Sequence, residues 1–188
     1  MSDITPALPG DPALPGDLTP AEAVERMIRV DHAGEYGAAR IYEGQLAVLG
    51  RGEKGDLIRH MKAQEDVHLQ TFSGLIATRR VRPTALLPLW HLAGFALGAV
   101  TAAMGTRAAM ACTVAVEEAI DEHYAAQAAS LGKDEAPLRE TIEKFRAEEL
   151  EHRDIGLEHE AELAPAYRLM SAAIKAGCKV AIAVSERV

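Results

Sequence analysis

Four glutamates on otherwise apolar helix faces limit what this chain can fold into. Along residues 24–49, hydrophobic residues recur at alternating steps of three and four, which predicts one helix face turned toward a core. That face consists of Val24, Ile28, Asp31, Glu35, Ala38, Tyr42, Leu46 and Leu49. Glu65, Glu117 and Glu149 lie on equivalent faces of three further predicted helices. Because an uncompensated carboxylate inside a core is costly, the fold must provide a partner for all four.

An internal repeat connects these glutamates. Each half consists of a glutamate, a tyrosine seven residues later, and a Glu-x-x-His motif beyond a predicted turn. The two halves are Glu35, Tyr42, Glu65 and His68, and Glu117, Tyr124, Glu149 and His152. The glutamates of each half are centred near residues 50 and 133, where turns are predicted. Two antiparallel helix hairpins would therefore bring all four glutamates to one level of a bundle.

Helical periodicity covers the chain after a short leader. Residues 1–18 carry the unit ALPGD twice, and this density of Pro and Gly predicts a flexible leader. Thr19, Pro20 and Glu22 then supply an N-cap, a first-turn proline and a capping box. The predicted helices cover residues 19–50, 56–79, 107–131, 136–163 and 166–185, and a long apolar segment covers 85–106. No segment alternates with a period of two, so we expect an all-α protein with one domain over residues 19–188.

Composition excludes several classes of protein. The 20 basic and 28 acidic residues leave a net charge of −8, which disfavours nucleic acid as a partner. The two cysteines, Cys112 and Cys178, cannot form a disulfide framework and are expected to be buried thiols in a reducing compartment. The first residues have no basic region followed by an apolar stretch, so no secretory signal is expected.

Metal ions are the compensation that these residues favour. No Lys or Arg shares the four faces, whereas two divalent cations would balance four carboxylates. Glutamates from two helices, with Glu-x-x-His from two others, form the ligand set of ferritin-like di-iron bundles. Oxygen and imidazole ligands suit iron or manganese, whereas structural zinc favours thiolate. We therefore expect a ferritin-like four-helix bundle, with an apolar crossover and an added C-terminal amphipathic helix. The alternative is that the four acids lie on solvated faces, as most glutamates do.

Several long motifs also resemble one known family. They are RVDHAGEYGAARIY at 29–42, QEDVHL at 64–69, VRPTALLPLW at 81–90 and ACTVAVEEAIDEHY at 111–124, together with EELEHRDIGLEHEAELAPAY and AGCKVAIAVSERV toward the C-terminus. Over residues 24–188 the sequence resembles the demethoxyubiquinone hydroxylases of ubiquinone biosynthesis. The resemblance implies that two iron ions are bound, with Glu65 and Glu149 bridging them. The implied ligands are Glu35, Glu65, His68, Glu117, Glu149 and His152.

Other polar residues near these motifs could support the metal ligands or relay protons and electrons. Asp31 and Asp121 lie one turn from Glu35 and Glu117, so either could orient a ligand histidine or bond elsewhere. Tyr42 and Tyr124 could relay electrons or simply fill the core. His123 and Tyr124 also match a His-Tyr pair of the family, and by this resemblance His123 is a candidate for proton or electron transfer. The neighbouring acids are interpreted as surface residues off the core faces, and they are Glu118, Glu122, Glu148 and Glu151.

The apolar segment 85–106 is close to the length needed to cross a bilayer. A single crossing would separate Glu65 from Glu117, and two crossings need more residues than the segment has. It is therefore expected to lie on a membrane surface, with a crossover buried in protein or in an oligomer as the alternative. Trp90 could anchor it at the interface, and basic residues could contact anionic lipid. These basic residues are Arg79, Arg80, Arg82, Lys175, Lys179 and Arg187.

Three functions remain open at this point. The resemblance implies a di-iron monooxygenase that hydroxylates a polyprenylated demethoxyubiquinol with O₂. We expect it at the cytoplasmic face of the cell membrane. Other ubiquinone-biosynthesis proteins and a second copy of the chain are further expected partners. The first alternative is a ferritin-type iron store. The second is a non-catalytic quinone-binding or assembly protein. The chain has no Gly-rich dinucleotide motif, so the electron donor is not marked in the sequence.

Overall fold

The structure, a computed structural model, describes residues 16–188 and contains six helices over that range. They are α1 (Pro20–Leu49), α2 (Glu53–Thr78), α3 (Leu87–Ala103), α4 (Thr106–Ser130), α5 (Ala136–Glu158) and α6 (Tyr167–Ser185). Short 3-10 turns occupy Lys133–Glu135 and Ala161–Leu163. No strand occurs within residues 16–188, which confirms the all-α prediction. Most of the proposed leader lies outside the described residues.

The helix ends follow local chemistry more closely than hydrophobic spacing. At the start of α1, the Thr19 hydroxyl accepts a hydrogen bond from the Glu22 backbone N–H, and the Glu22 carboxylate accepts one from the Thr19 N–H. The predicted capping box is therefore confirmed. The prediction that α5 continues to residue 163 is wrong. It ends at Glu158 because Glu160 adopts a left-handed backbone conformation, and Leu163, assigned to its core face, is exposed.

The four long helices form two hairpins that face each other. α1 packs on α2 and α4 packs on α5, while α1 also contacts α4 and α2 contacts α5 across the bundle. One apolar cluster surrounds Ile58, Met61 and Met110, and another surrounds Ile28, Phe72 and Phe145. The four glutamates lie between these clusters along the sequence of each helix. A polar layer therefore divides the hydrophobic core of the bundle in two.

α3 packs against α1 through small residues, and its large apolar side chains face outward. Gly94 and Gly98 are buried against α1, and a Cβ on Gly98 would lie only 1.9 Å from the Ile41 carbonyl oxygen. Only glycine permits so close an approach of two helix backbones. Leu92, on the opposite face, is 67% exposed. The apolar segment is thus a crossover with one packed face and one open face.

α6 packs on α4 and extends the outer apolar surface. Leu169 and Val180 are both exposed. Lys175 and Lys179, two of the six basic residues expected to contact lipid, form ion pairs with Glu118 and Glu122 of α4. Among residues 16–188, none of the helices has the length and hydropathy required to cross a membrane.

Candidate metal centre

Each helix of the bundle contributes a buried glutamate at the same level. All six residues predicted as ligands are brought together in the polar layer, and each is at most 1% exposed. They are Glu35 on α1, Glu65 and His68 on α2, Glu117 on α4, and Glu149 and His152 on α5. The alternative that these acids lie on solvated faces is therefore wrong.

The six side chains divide into two overlapping groups of candidate ligands. Within each group, one nitrogen or oxygen atom from every residue lies within 4.8 Å of the others. The first group is Glu35, Glu65, His68 and Glu149, and the second is Glu65, Glu117, Glu149 and His152. Glu65 and Glu149 belong to both groups. The bridging of two metal ions by these two carboxylates stays a prediction.

The donor atoms of this layer are suited to cations. Among the described residues, six of them are buried and make no well-directed hydrogen bond: Glu35 Oε2, both Glu65 oxygens, Glu117 Oε2, Glu149 Oε2 and His152 Nδ1. Their nearest contacts are within the layer itself, where Glu35 Oε2 lies 3.5 Å from His68 Nδ1, and Glu65 Oε1 and Glu149 Oε2 lie 3.1 and 3.4 Å from His152 Nδ1. Buried polar atoms in proteins are nearly always paired, because an unpaired one retains the cost of its lost hydration. Oxygen and imidazole nitrogen without thiolate is the donor set that iron and manganese accept. These residues therefore fit two divalent transition metals.

Both histidines present Nδ1 to the carboxylates and Nε2 to a residue outside the centre. His68 Nδ1 lies 3.1 Å from Glu149 Oε1 and 3.5 Å from Glu35 Oε2. His152 Nδ1 lies 3.1 Å from Glu65 Oε1. Metal binding at Nδ1 requires a lone pair there, which places the ring proton on Nε2.

The two Nε2 atoms are held by residues that the sequence analysis did not assign to the site. His68 Nε2 lies 2.6 Å from Glu148 Oε2, and His152 Nε2 lies 2.9 Å from Gln64 Oε1. The interpretation of Glu148 as a surface acid is wrong, because its side chain is only 26% exposed and contacts a predicted ligand. Gln64 and Glu148 each precede the first residue of a Glu-x-x-His motif, which was the available signal.

The repeat tyrosines connect the two hairpins. Tyr42 Oη donates a hydrogen bond to Glu117 Oε1 at 2.8 Å, and Tyr124 Oη donates one to Glu35. Each tyrosine therefore holds the glutamate of the other half. Burial raises the pKa of both tyrosines well above 10, and the nearby carboxylates raise the pKa of each further. Both phenols accordingly remain protonated donors, beyond the core-filling role considered from sequence.

Burial and crowding of charge shift the titration of the candidate ligands. Burial, together with the charge of Glu149, raises the pKa of Glu35, Glu65 and Glu117. Burial opposes charge on the histidines, but hydrogen bonds and charge from carboxylates prevail and raise the pKa of His68 to about 11 and of His152 to about 9. Burial likewise raises the pKa of Glu149, but its contacts with both histidines prevail and lower it to about 2. Without a metal, the layer therefore retains protons.

The two aspartates near the site do not contact a candidate ligand histidine. Buried Asp31 accepts a hydrogen bond from Gln127 Nε2 at 2.7 Å and lies 3.4 Å from His123 Nε2. Asp121 accepts one from Arg146 at 2.6 Å. Of the two alternatives, bonding elsewhere is the one observed for both aspartates. His123 is 21% exposed and contacts buried Asp31. Because Asp31 lies one helical turn before Glu35, these two residues lead from the surface toward the polar layer.

An apolar cavity of about 500 Å³ lies between α1, α3, α4 and α6, and none of the six candidate ligands lines it. Its lining includes Gly34 and Ala38, one residue before and three after Glu35, and Val116 next to Glu117, so it lies at the level of the polar layer. Trp90 also lines it, and its Nε1 donates to Ser185 Oγ at 3.1 Å. The expected interfacial anchor therefore forms part of the cavity wall.

Comparison with known proteins identifies the family. The family model described as "Ubiquinone biosynthesis protein COQ7" matches residues 22–185. The chain is 63% identical over 176 residues to the 3-demethoxyubiquinol 3-hydroxylase of Rhodospirillum rubrum, covering 93% of this chain and 83% of that protein. It is 59% identical over 170 residues to the bovine mitochondrial NADPH-dependent 3-demethoxyubiquinone 3-hydroxylase, covering 88% and 78%. It is 40% identical over 191 residues to the mitochondrial 5-demethoxyubiquinone hydroxylase of Saccharomyces cerevisiae, covering 92% and 82%. The chain therefore belongs to the COQ7 family of ubiquinone biosynthesis proteins.

Proposed function

We propose that this protein is a membrane-associated di-iron monooxygenase that hydroxylates the ring of a polyprenylated demethoxyubiquinol with O₂. The observation that carries this proposal is the pair of ligand groups sharing Glu65 and Glu149, beside a cavity lined almost entirely by apolar side chains. The names of the relatives supply the substrate class, since they are hydroxylases of demethoxyubiquinol or demethoxyubiquinone. Residues 19–188 would form the single di-iron domain.

The six buried side chains would hold two iron ions. Two ferrous ions there would supply the electrons that activate O₂ for hydroxylation of a ring carbon. The protein's own contribution is geometric: Tyr42 and Tyr124 fix Glu117 and Glu35, and the apolar clusters on both sides of the layer exclude water. His123, next to Asp31 at the surface end of the site, would pass protons or electrons inward together with Tyr124.

The apolar cavity would receive the quinol. A polyprenylated ring has few polar groups, and a pocket lined by Ile41, Leu97, Val116 and Ile174 matches it in polarity. Because Gly34 and Ala38 line the cavity one residue before and three after Glu35, a ring bound there would lie at the level of the metal layer. α3 and α6, which form the outer wall, would admit the substrate from the bilayer.

Attachment to the membrane would be peripheral. α3 and α6 expose Leu92, Leu169 and Val180 on their outer faces, which suits the interfacial plane of a bilayer. Arg80 and Arg82, at the start of the crossover, are exposed and would contact anionic headgroups. We place the protein at the cytoplasmic face of the cell membrane, with other ubiquinone-biosynthesis proteins and a second copy of the chain as candidate neighbours.

The relatives differ in how their names describe the reductant. The bovine protein is named NADPH-dependent, whereas the name of the Rhodospirillum rubrum protein gives no reductant. For this chain, electrons could come from the quinol itself, from a nicotinamide cofactor or from a partner protein. The reaction should therefore be assayed with each reductant.

The decisive experiment supplies demethoxyquinol, a reductant and ¹⁸O₂ to the iron-loaded protein in detergent. Hydroxylated quinone carrying ¹⁸O is expected. Release of the label only in water, or no product at full iron occupancy, would favour the iron-store or non-catalytic alternative. An iron store would also take up many more than two ions per chain.

Glu149→Ala should abolish hydroxylation and lower the iron content below two per chain, because Glu149 belongs to both ligand groups. Glu151→Ala, which removes an exposed acid from the same helix, is the matched control and should retain both properties. Iron analysis with Mössbauer spectroscopy measures the effect. Two coupled iron ions in Glu149→Ala would contradict the ligand assignment.

A further inference from the structure

The two halves of the candidate metal centre are related by an approximate twofold symmetry, and the residues that receive the histidine Nε2–H depart from it in charge. Each half contributes one unshared glutamate, one histidine and one tyrosine hydrogen bond to that glutamate. The shared carboxylates, Glu65 and Glu149, belong to both groups; Glu149 lies 3.1 Å from His68 and 3.4 Å from His152, and Glu65 lies 3.1 Å from His152. The residues that receive the histidine Nε2–H differ, because Glu148 bears a carboxylate and Gln64 a neutral amide.

This difference acts directly on the strength of the histidine ligands. A carboxylate that accepts the Nε2–H of an imidazole makes Nδ1 a stronger donor to a cation than an amide does. The contact of Glu148 with His68 is also the shorter of the two, at 2.6 Å against 2.9 Å. The ring of His68 is held in place by Phe145, whose centroid lies 3.9 Å away.

Solvent and a neighbouring cation weaken the effect of Glu148 only in part. Its Oε1 lies 3.7 Å from Lys144 Nζ, but that lysine is 64% exposed and free to move in water. Its Oε2, by contrast, faces a fully buried imidazole. The carboxylate therefore adds negative charge on the His68 side that has no counterpart beside His152.

We propose that Glu148 makes the two cation positions inequivalent, so that the position bounded by His68 binds a divalent metal first and more tightly than the position bounded by His152. Glu148 and Gln64 are positioning residues here, since each acts through a histidine. The inference rests on the proposed metal centre but not on hydroxylation.

The test uses Co²⁺ and the full-length metal-free protein, with paramagnetic proton NMR as the readout. The Nε2–H of a histidine bound to Co²⁺ gives a strongly shifted resonance that disappears in D₂O, so each position reports its own filling. Outer partners change metal affinity by about 10–100-fold, so at one equivalent of Co²⁺ the resonance of His68 should exceed that of His152 by about three- to tenfold. At two equivalents both should be complete.

Three variants separate the effect of Glu148 from a general loss of charge. Glu148→Gln should let both resonances grow together, and the exchange of Gln64→Glu with Glu148→Gln should reverse their order. Glu151→Gln removes an exposed acid from the same helix and should leave the wild-type order intact. Circular dichroism and thermal melting confirm that each variant is folded.

The possible failures are distinct. Parallel filling in the wild type, or an order that persists in Glu148→Gln, would overturn the inference while leaving a two-metal centre in place. Failure of the wild type to bind two Co²⁺ at all would overturn the metal centre, and the proposed function with it. Activity does not enter either result.

Discussion

At the scale of single residues, the site depends on contacts made across the bundle. Tyr42 on α1 holds Glu117 on α4, and Tyr124 on α4 holds Glu35 on α1. Both hydroxyls donate to carboxylates in an environment without competing water. Each hydroxyl satisfies a buried carboxyl oxygen that would otherwise keep the cost of its lost hydration.

Tyr42→Phe should destabilise the metal-free protein by about 1–3 kcal/mol, because Glu117 Oε1 would lose its buried donor. Urea unfolding followed by circular dichroism measures the change. The matched control is Tyr36→Phe, which removes a hydroxyl bonded to exposed His91 and should change stability by less than about 0.5 kcal/mol. Equal losses of unfolding free energy in the two variants would show that the hydrogen bond to Glu117 stabilises the protein no more than an exposed hydrogen bond does.

The stability of the metal-free protein should fall as the pH rises from about 5 to about 9. The folded-state pKa of Glu35, Glu65 and Glu117 is raised above 4.5, and the pKa of His68 is raised from 6.5 to about 11. Such groups stabilise the fold fully below their unfolded pKa, and this contribution is lost as pH rises through the folded pKa. Glu149, with its pKa lowered to about 2, acts in the opposite direction and only below about pH 4.5.

Bound metal should reverse the fall in stability with rising pH. The metal displaces the protons that the buried layer retains, and it therefore binds more tightly at higher pH. Thermal melts between pH 5 and pH 9, with and without Mn²⁺, measure both effects. The increase in melting temperature on adding Mn²⁺ should grow with pH. A metal-free protein whose melting temperature rises across this range would contradict the assigned shifts.

The sequence predicted the six candidate ligands but not the residues around them. Helical spacing places Glu35 and Glu149 on core faces, and burial in the structure agrees. Glu148 lies off that face, so its contact with His68 depends on how closely α5 approaches α2. Asp31 differs from Glu148 because its spacing placed it correctly in the core. Its partner on α4 could not be predicted, since that contact depends on how the two helices pack.

At the scale of helices, α3 is positioned by glycine more than by interlocking side chains. Uniform hydropathy along residues 85–106 gave no indication of which face would be buried. Gly94 and Gly98, one turn apart, mark that face because both approach the α1 backbone. The early end of α5 was similarly hidden, since Leu163 keeps the helical spacing although the chain has already turned at Glu160.

Gly98→Ala should destabilise the protein by about 1–3 kcal/mol, because the new methyl group would collide with the Ile41 carbonyl and force α3 away from α1. Gly74→Ala, within α2, meets no atom within 4 Å and should stabilise the protein by about 0.5–1 kcal/mol through helix propensity. Chemical unfolding of both variants measures this. If Gly98→Ala stabilised the protein, α3 would be able to move away from α1 without a loss of unfolding free energy, which would contradict this prediction.

At the scale of the whole molecule, polar and apolar surfaces are separated. The ion pairs of Lys175 and Lys179 with α4 leave the outer face of α6 to apolar residues. α3 continues that surface, since Trp90 at its start bonds to Ser185 at the end of α6. The proposed attachment therefore depends on apolar contact more than the sequence suggested.

Leu92→Ser should weaken binding to anionic vesicles by about tenfold, the expected loss when one leucine no longer enters the interface. Val67→Ser is the matched control, because Val67 is 50% exposed on α2, outside the proposed membrane face. Co-sedimentation with vesicles of phosphatidylcholine and phosphatidylglycerol measures both. Equal binding of Leu92→Ser and the wild type would argue against attachment through α3.

The reciprocal contacts of the two hairpins also bear on how such a chain could originate. Glu148 of the second hairpin holds His68 of the first, and Gln64 of the first holds His152 of the second. The tyrosine hydrogen bonds also join one hairpin to the other, from Tyr42 to Glu117 and from Tyr124 to Glu35. A lone ancestral hairpin would thus have carried only half of a centre and would have completed it by pairing with an identical copy. In this chain a linker that includes α3 joins the two halves, so each can differ from the other in sequence, as they do at Gln64 and Glu148.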